Sequence, residues 1–365
     1  MNYTLPQLLK ALLDQGGSDL HISVDSPPRL RIDGHLYPLD LPPLSADDTK
    51  KLCYSVLTEE QKKSFENIKE LDLAFSVKNL ARFRCNVFLQ KNAVSAVFRV
   101  IPYKIHSITD LGLPPILYNL CELPRGLVLV TGPTGSGKST TLAAMIDYIN
   151  ETRKDHILTI EDPIEFVHEH KNCLISQREV GSDTDTFAKA LKSALREDPD
   201  IVLVGEMRDL DTVSAALTTA ETGHLVFATL HTNTCVSTLN RIIDVFPAAQ
   251  QVQVRTQLAA SLQGVVSQLL LPAENGGRVM ALEMMLPNKA IRNLIREDKM
   301  HQIYSSMQTG QDGTGMQTLN QSLFNLAQRR FISMDLALKK SAEPEELQAM
   351  FDKAINQRGN LNRGA

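Results

Sequence analysis

The chain has 365 residues, of which 43% are hydrophobic and 22% are charged, and its formal net charge is −4. These values describe an ordinary folded globular protein, and the length exceeds that of a single hydrophobic core, so two domains are expected. The acidic balance argues against nucleic-acid-binding classes, because those proteins neutralise phosphates with clustered lysine and arginine side chains.

The start of the chain and its cysteines indicate a cytoplasmic protein. Residues 1–15 lack the basic start and apolar core of a signal peptide, and no apolar run approaches the length of a membrane-spanning helix. The cysteines form no C-x-x-C pair of the kind used for zinc or redox chemistry. We therefore expect five buried thiols in a reducing compartment, at Cys53, Cys85, Cys121, Cys173 and Cys235.

The first hundred residues predict a small α+β domain. Helical spacing of apolar residues covers 5–13 and 46–66, whereas alternating apolar and polar residues predict strands at 30–34, 81–88 and 93–100. Strands that alternate in this way are typical of an antiparallel sheet with one solvated face.

The pattern changes near residue 105. Four prolines and a glycine fall within 101–124, which favours an inter-domain connection there. From Arg125 onward apolar strands alternate with helical segments, which predicts a parallel α/β sheet covered on both faces. The expected division is an amino-terminal domain, a linker, a second domain with carboxy-terminal helices, and a disordered tail, at 1–103, 104–124, 125–356 and 357–365.

The most specific motif is a complete G-x-x-x-x-G-K-[ST] sequence between the apolar run 127–130 and a helix-forming segment. Backbone N–H groups of such a loop surround phosphates, its lysine reaches the β- and γ-phosphates, and its Ser or Thr hydroxyl binds Mg²⁺. The sequence therefore predicts an ATP site formed by Gly132, Pro133, Thr134, Gly135, Ser136, Gly137, Lys138, Ser139 and Thr140.

Three later apolar strands run into polar residues, at the edge where an open α/β sheet binds its ligand. Glu161 and Glu165 follow the first strand and Glu206 the second, while His231 follows the third, which His224 precedes. Glu206 is a candidate for the acid that holds Mg²⁺ together with the Ser139 hydroxyl of the phosphate loop. Either glutamate of the first pair could polarise the attacking water, a choice that depends on geometry. The two histidines are candidates for sensing the γ-phosphate, and structural hydrogen bonding explains them equally well.

These motifs together resemble those of the secretion-type hexameric ATPases. In order and spacing they match the Walker A motif, Asp box, Walker B motif and His box of that superfamily, at Gly132–Ser139, Glu161–His168, Asp198–Asp209 and Thr222–Asn233. Further segments resemble one branch, the PilT retraction ATPases of type IV pili, at Ser18–Ile22, Pro27–Arg31 and Ala290–Glu297. The similarity covers nearly the whole chain.

The resemblance implies a PAS-like amino-terminal domain joined to a RecA-like motor domain, in a homo-hexamer that retracts pili for twitching motility. It implies that ATP lies between the two domains and that Arg84 and Arg99, with Arg82 as a less certain third, complete the site. It also implies Glu165 as the acid that activates water and Glu206 on the metal side. Both histidines of the His box, His224 and His231, would link the phosphate state to domain position.

The implied partner is a polytopic inner-membrane platform protein, with no nucleic acid expected, and participation of an accessory retraction ATPase stays open. The chain would thus be held peripherally at the inner membrane through the pilus machine. Within Ala290–Glu297, apolar residues at helical spacing predict one stripe packed on the core. This arrangement leaves Arg292, Arg296 and Glu297 on other faces for contact with another protein.

Four alternatives remain open. Pilus-extension and type II secretion ATPases share the motor core but usually carry a longer amino-terminal region and a tetracysteine zinc element. An accessory retraction ATPase tends to depart from the segment matched at Ala290–Glu297. A DNA-translocating RecA-like ATPase is disfavoured by the net charge of −4. A nucleotide-gated binding protein would have negligible turnover.

Overall fold

The structure of the chain is a computed structural model that describes residues 3–32, 34–78, 80–101, 105–309 and 315–361, of which 357–361 are described by their backbone alone. The chain divides into two compact units, each described here by itself. The first unit comprises residues 1–104 and 163–167, and the second comprises residues 105–162 and 168–365.

The first unit is built on an antiparallel sheet. Its helices within the described residues are α1 (Leu5–Asp14), α2 (Ala46–Tyr54) and α3 (Glu59–Ile68). Its strands are β1 (Asp19–Ile22), β2 (Arg29–Ile32), β3 (His35–Pro38), β4 (Glu70–Val77), β5 (Ala81–Gln90) and β6 (Ala93–Ile101). The strands lie in the order β3-β2-β1-β6-β5-β4, with every neighbouring pair antiparallel.

Alternation along the strands separates a buried face from an exposed one. Leu20, Phe83 and Phe98 are fully buried and pack with apolar residues of all three helices. The predicted helical stretch 46–66 is two helices rather than one. The second helix begins with a capping box, in which the Thr58 hydroxyl accepts the Gln61 N–H at 3.2 Å.

The second unit contains a larger, mostly parallel sheet. Its strands in the described residues are β7 (Gly126–Thr131), β8 (His156–Glu161), β9 (Leu174–Glu179), β10 (Ile201–Val204), β11 (Leu225–Leu230), β12 (Leu262–Pro272) and β13 (Arg278–Met285). They lie in the order β13-β12-β7-β11-β10-β8-β9. All neighbours are parallel except β12 and β13, which form an antiparallel pair at one edge.

Helices cover both faces of this sheet, as predicted. They are α4 (Ile116–Cys121), α5 (Lys138–Thr152), α6 (Phe187–Ala194), α7 (Leu210–Glu221), α8 (Cys235–Asp244), α9 (Ala248–Ser261), α10 (Lys289–Arg296), α11 (Ile303–Thr309), α12 (Leu319–Gln328), α13 (Met334–Lys340) and α14 (Pro344–Leu361), with a 3₁₀ turn at Met300–Gln302. Along β7, Leu127 and Leu129 pack with α6 to α10, whereas Val128 and Val130 pack with α4 and α5. Successive residues of one strand thus build two separate core layers.

The predicted α/β fold class is confirmed, and two local expectations differ from the structure. Residues Ile108, Leu113 and Leu117, within the segment expected to be a linker, are buried in the core of the second unit. The last helix continues past residue 357, where composition predicts disorder, and ends at Leu361. Residues 362–365 of that expected tail lie outside the described residues. The domain boundaries themselves stay a prediction.

The five cysteines are buried and free, as predicted. None of the helices in the described part of the chain is long and apolar enough to cross a membrane.

Candidate active site

The phosphate loop joins β7 to α5, and its glycines have backbone angles that other residues rarely adopt. Gly132, Gly135 and Gly137 have φ values of 141°, 80° and 87°. A Cβ on Gly132 would lie 2.3 Å from the Gln268 carbonyl oxygen and 2.6 Å from Ser136 Oγ. The loop is therefore curled against β12, and this curl requires glycine at position 132.

Lys138 begins α5 and is largely buried in the concave side of this loop. Its ammonium group donates hydrogen bonds to the carbonyl oxygens of Gly132 at 2.8 Å and Pro133 at 3.2 Å. The same Nζ lies 3.5 Å from His231 Nδ1. The N–H groups in the first turn of a 15-residue helix and this cation together favour a bound phosphate.

Glu206 and His231 join the loop through a chain of polar contacts. Glu206 follows β10, and its Oε1 lies 3.2 Å from His231 Nε2 and 2.6 Å from Arg208 Nε. Burial alone would raise the pKa of Glu206, but the Arg208 hydrogen bond and the neighbouring His231 outweigh it, so the pKa is lowered. A neutral His231 with its proton on Nε2 can donate to Glu206 and accept from Lys138. The structure thus brings Lys138, His231 and an ionised Glu206 together.

The two glutamates of the acidic segment occupy different units. Glu161 ends β8, and its Oε1 accepts hydrogen bonds from Thr159 Oγ1 at 2.8 Å and Gln177 Nε2 at 3.2 Å. Its strand is the direct parallel neighbour of β10, which Glu206 follows. Glu165 belongs to the segment 163–167 of the first unit. Glu161 therefore lies at the same sheet edge as the phosphate loop, and the role of Glu165 stays a prediction.

His224 does not lie beside the phosphate loop of its own chain, so the structure does not support a direct contact with the γ-phosphate there. Its role as a link between phosphate state and domain position stays a prediction. It precedes β11, and its carbonyl oxygen accepts the N–H of Gly126, the first residue of β7, at 3.0 Å. His224 comes just before β11 and His231 just after it, so the two histidines lie at opposite ends of that strand, roughly 20 Å apart. Because β7 is parallel to β11 and in register with it, only His231 lies at the end where the phosphate loop begins. The His224 Nδ1 atom lies 3.0 Å from the Thr219 carbonyl oxygen, as expected of a structural histidine.

Arg84 and Arg99 lie directly opposite each other on the exposed face of the first unit's sheet. Arg99 Nε donates to Asp19 Oδ1 at 2.7 Å, although the Arg99 side chain is 66% exposed. Among the described residues, Arg84 has no hydrogen-bond or ion-pair partner. Like charges at directly opposed positions destabilise a sheet. The pair is thus not explained by the stability of its own sheet.

Ser139 and Glu206 supply the hydroxyl and carboxylate oxygens that suit Mg²⁺ in nucleotide sites. Ser139 is the second residue of α5, and Glu206 is linked to the first residue of that helix through His231. The donor set therefore fits the ion. In the described parts of the chain, no group of three His, Cys, Asp or Glu side chains is placed to hold a metal by itself.

Sequence reasoning missed two buried polar residues on the antiparallel edge pair. Gln268 is 1% exposed, and its Nε2 donates to Thr141 Oγ1 of α5 at 2.8 Å, so it holds the helix that follows the loop. Glu283 on β13 is 3% exposed. The available signal was a polar residue inside an otherwise apolar strand, since such a residue is rarely buried without a partner.

The segment Ala290–Glu297 forms most of α10, and its exposed face is smaller than predicted. The buried Ile291 and Ile295 form the expected apolar stripe. Arg292, however, donates to the Ala259 carbonyl oxygen at 2.5 Å and to Gln263 Oε1 at 3.2 Å. It satisfies carbonyl groups at the carboxyl end of α9, so its guanidinium is engaged within the chain, and its contact with another protein stays a prediction.

A mostly parallel sheet with a glycine loop, a helix-starting lysine and an acid on a neighbouring strand defines a P-loop nucleotide hydrolase of RecA-like architecture. The model of the "Type II/IV secretion system protein" family matches residues 2–331. The chain is 53% identical over 341 residues to the "Type IV pilus retractation ATPase PilT" of Pseudomonas aeruginosa, covering 93% of this chain and 99% of that protein. It is 51% identical over 321 residues to the "Twitching motility protein" of Neisseria gonorrhoeae, covering 88% and 86%.

A crystal structure of the pilus retraction motor PilT with bound ADP matches with a TM-score of 0.91 and 51% identity, covering 95% of this chain and all of that one. The chain belongs to the type II/IV secretion system protein family, and within it to the PilT-type ATPases. It is an ATPase and binds nucleotide.

Proposed function

We propose that this ATPase is the motor that retracts type IV pili for twitching motility, acting as a ring of six identical chains. The observation that carries the proposal is the match of both units, over 95% of the chain, to a retraction motor at a TM-score of 0.91. Extension and secretion ATPases share the motor core, so the match of the amino-terminal unit matters as much as the phosphate loop.

Within one chain, the phosphate loop binds the β- and γ-phosphates of ATP, with Lys138 as the cation closest to the transferred group. Ser139 and Glu206 hold Mg²⁺, which when bound neutralises charge on the phosphates. The hydrogen bonds from Arg208 and His231 keep Glu206 ionised and fix its orientation. Glu161 or Glu165 polarises the attacking water, and replacing each by Gln separates them, because only the catalytic acid should lower kcat strongly.

His231 is the residue that reports the state of the γ-phosphate. Its two ring nitrogens face Lys138 and Glu206, at 3.5 and 3.2 Å. A phosphate that draws the Lys138 ammonium towards itself alters one of these contacts directly. Because ligands shift conformational equilibria only by differential contacts, this is where nucleotide state acts on the loop 231–233. Replacing His231 by Gln should lower kcat more than it weakens ADP binding.

Arg84 and Arg99 complete the ATP site of a neighbouring chain in the ring. There they stabilise the negative charge that develops on the transferred phosphate. Their support is the opposed, exposed pair on the amino-terminal sheet, in which Arg84 has no partner among the described residues. Arg84→Ala should lower kcat by a hundredfold or more while ADP still binds. Arg29→Ala is a matched control. Arg29 is an exposed arginine on the same sheet, and among the described residues its side chain forms a hydrogen bond only with Ser26.

Mixed rings test whether the arginine acts between chains. Arg84→Ala and Lys138→Ala chains, each inactive alone, are combined in equal amounts. If Arg84 serves the neighbouring chain, about one site in four regains both residues, because each side of an interface is drawn at random. If Arg84 serves its own chain, no site regains both. Continued inactivity of the mixture would therefore exclude the trans arrangement.

Retraction itself is tested in cells by counting surface pili and measuring surface motility without this chain, with it, and with its Lys138→Ala form. Excess pili with lost motility, not rescued by Lys138→Ala, are the expected result. Bald cells would indicate an extension motor, and unchanged pili would exclude a role in pilus dynamics. Steady-state phosphate release with and without DNA separates the motor from a non-hydrolysing switch and from a DNA translocase.

The proposed location is the cytoplasmic face of the inner membrane, through contact with a polytopic platform protein and with an accessory ATPase as a further partner. Fractionation of cells with and without the platform protein tests this location. Recovery of the chain in the membrane fraction only when the platform is present would support it.

A further inference from the structure

Glu283 is a buried carboxylate with no role in the site described above. It lies on β13 opposite Ser267 of β12 and is 3% exposed. A buried carboxylate is unfavourable unless its charge is met by donors. Within the described residues no cation pairs with it: burial raises its pKa, and backbone N–H groups together with the Cys235 thiol oppose that rise only in part.

Those N–H groups belong to the first residues of two helices. The N–H of Cys235, which begins α8, donates to Glu283 Oε1 at 2.6 Å, and the N–H of Leu319, which begins α12, faces the same carboxylate. The first N–H groups of a helix have no partner within the helix, and the positive end of its dipole favours an anion. One side chain therefore caps α8 and also lies at the start of α12.

The first of these helices holds the loop that carries His231. Only three residues separate His231 from Cys235. Within that stretch Thr232 Oγ1 lies 2.7 Å from Thr238 Oγ1, which lies 3.4 Å from Thr131 Oγ1 at the end of β7. The start of α8 is thus fixed between the strand that precedes the phosphate loop and the carboxylate of Glu283.

The second helix leads into the carboxy-terminal part of the chain. The residue after Glu283, Met284, forms two backbone hydrogen bonds with Gln317, at 2.8 and 3.0 Å. The Leu282 N–H donates to Ser322 Oγ at 3.0 Å. Beyond this anchor, α12 packs with α13 and α14 in a separate apolar cluster around Leu323.

We propose that Glu283 is a positioning residue of the ATPase: by capping α8 it holds His231 against Lys138 and Glu206, and its position at the start of α12 ties that geometry to the carboxy-terminal helices. The inference rests on the proposed role of His231. It makes Glu283 act through the loop 231–233 and not on the nucleotide.

Glu283→Gln tests this role, because Gln has nearly the same volume but only one acceptor oxygen, so it presents an N–H donor either to the Cys235 N–H or to the start of α12. We expect kcat to fall at least tenfold, with KM for ATP and the Kd of ADP changing less than about threefold. Ser322→Ala is the matched control. It removes a buried polar contact between α12 and β13 without touching α8, so it should lower Tm and leave kcat unchanged.

His231→Gln in the same assay separates the two ideas. If His231→Gln lowers kcat and Glu283→Gln does not, the positioning role is overturned and the proposed function stands. If neither lowers kcat, the role of His231 fails as well. A parallel fall in kcat, ADP binding and Tm for Glu283→Gln would indicate general packing and overturn the inference.

Hydrogen exchange of the unmodified protein provides a second test that no folding failure can obscure. Addition of ADP should slow exchange both in residues 232–238 and in residues 318–324, because one carboxylate anchors the two segments. Protection of the first segment alone would overturn the proposed connection.

Discussion

Replacing Gly132 by Ala tests whether the curl of the phosphate loop against β12 is needed for nucleotide binding. The φ value of 141° is unfavourable for any residue with a Cβ, at a cost of about 1–3 kcal/mol. The new Cβ would also lie 2.3 Å from the Gln268 carbonyl oxygen, whereas ordinary contact begins at 3.4 Å. That oxygen belongs to a strand paired with β7, so relief requires a shift of backbone and not of a side-chain end.

Because the loop must open by about 1 Å to accept the methyl group, its N–H groups no longer converge on one phosphate. We expect the Kd of ADP, measured by fluorescence titration or calorimetry, to rise at least tenfold, which is about 1.4 kcal/mol. Gly181→Ala is the control. Gly181 has a φ of 87°, and its added Cβ meets no atom within 4 Å, so it reports backbone strain alone. Equal ADP affinity and equal Tm in the two variants would refute the argument.

Three further predictions concern stability and reactivity. Burial lowers the pKa of His168 to about 4, below the value near 6.5 in the unfolded chain. The folded chain therefore keeps its full stability above pH 6.5 and loses part of it as the pH falls from 6.5 towards 4, because only the unfolded chain then takes up the proton. Between pH 7 and 5 the free energy of unfolding, measured with urea, should fall by about 2 kcal/mol through His168, and His168→Gln should remove that part of its pH dependence. An unchanged pH dependence in the variant would contradict this prediction. Arg292→Lys should lower the free energy of unfolding by about 1–2 kcal/mol, because the bonds to the carbonyl groups of α9 are lost. Arg296→Lys should change it little, because among the described residues Arg296 forms a side-chain hydrogen bond only with Asn293. Equal losses in the two variants would argue against a role of Arg292 as a cap of α9. Burial raises the pKa of the Cys53 and Cys121 thiols to about 12, so neither should react with a thiol reagent within minutes unless denaturant is added, and rapid native labelling would show that the core opens.

Local patterns were enough to predict most of the fold. Aliphatic runs with turn residues between them identified the strands of the second unit, and the glycine spacing identified the loop, since both signals depend only on neighbours in sequence. The break in the helical stretch 46–66 was also readable, because Thr58 and Gln61 have the spacing of a capping box. The placement of His224 could have been derived as well. A residue before a strand and a residue after it lie at opposite ends of that strand.

The partners of buried polar groups could not be predicted in this way. Gln268 meets Thr141 across 127 positions of sequence, and Glu283 meets Cys235 across 48. Such pairs depend on sheet order, which places β12 beside β7 and β13 beyond it. The opposition of Arg84 and Arg99 likewise depends on strand register, which a shift of one residue would abolish. Sequence spacing predicts which residues share a strand face, but not which residue faces them.

The position of Arg292 connects the PilT-like helix segment to the strand that carries the phosphate loop. Arg292 donates to Gln263 Oε1 at 3.2 Å, and a Cβ on Gly126 would lie 2.4 Å from Gln263 Cγ. Gly126 begins β7 and pairs with the carbonyl of His224, whereas the other end of β7 runs into the loop that binds phosphate. Arg292, through Gln263, and His224 thus both lie at the end of β7 that is opposite the phosphate loop, so the PilT-like segment and the first histidine of the His box meet at one place in the fold.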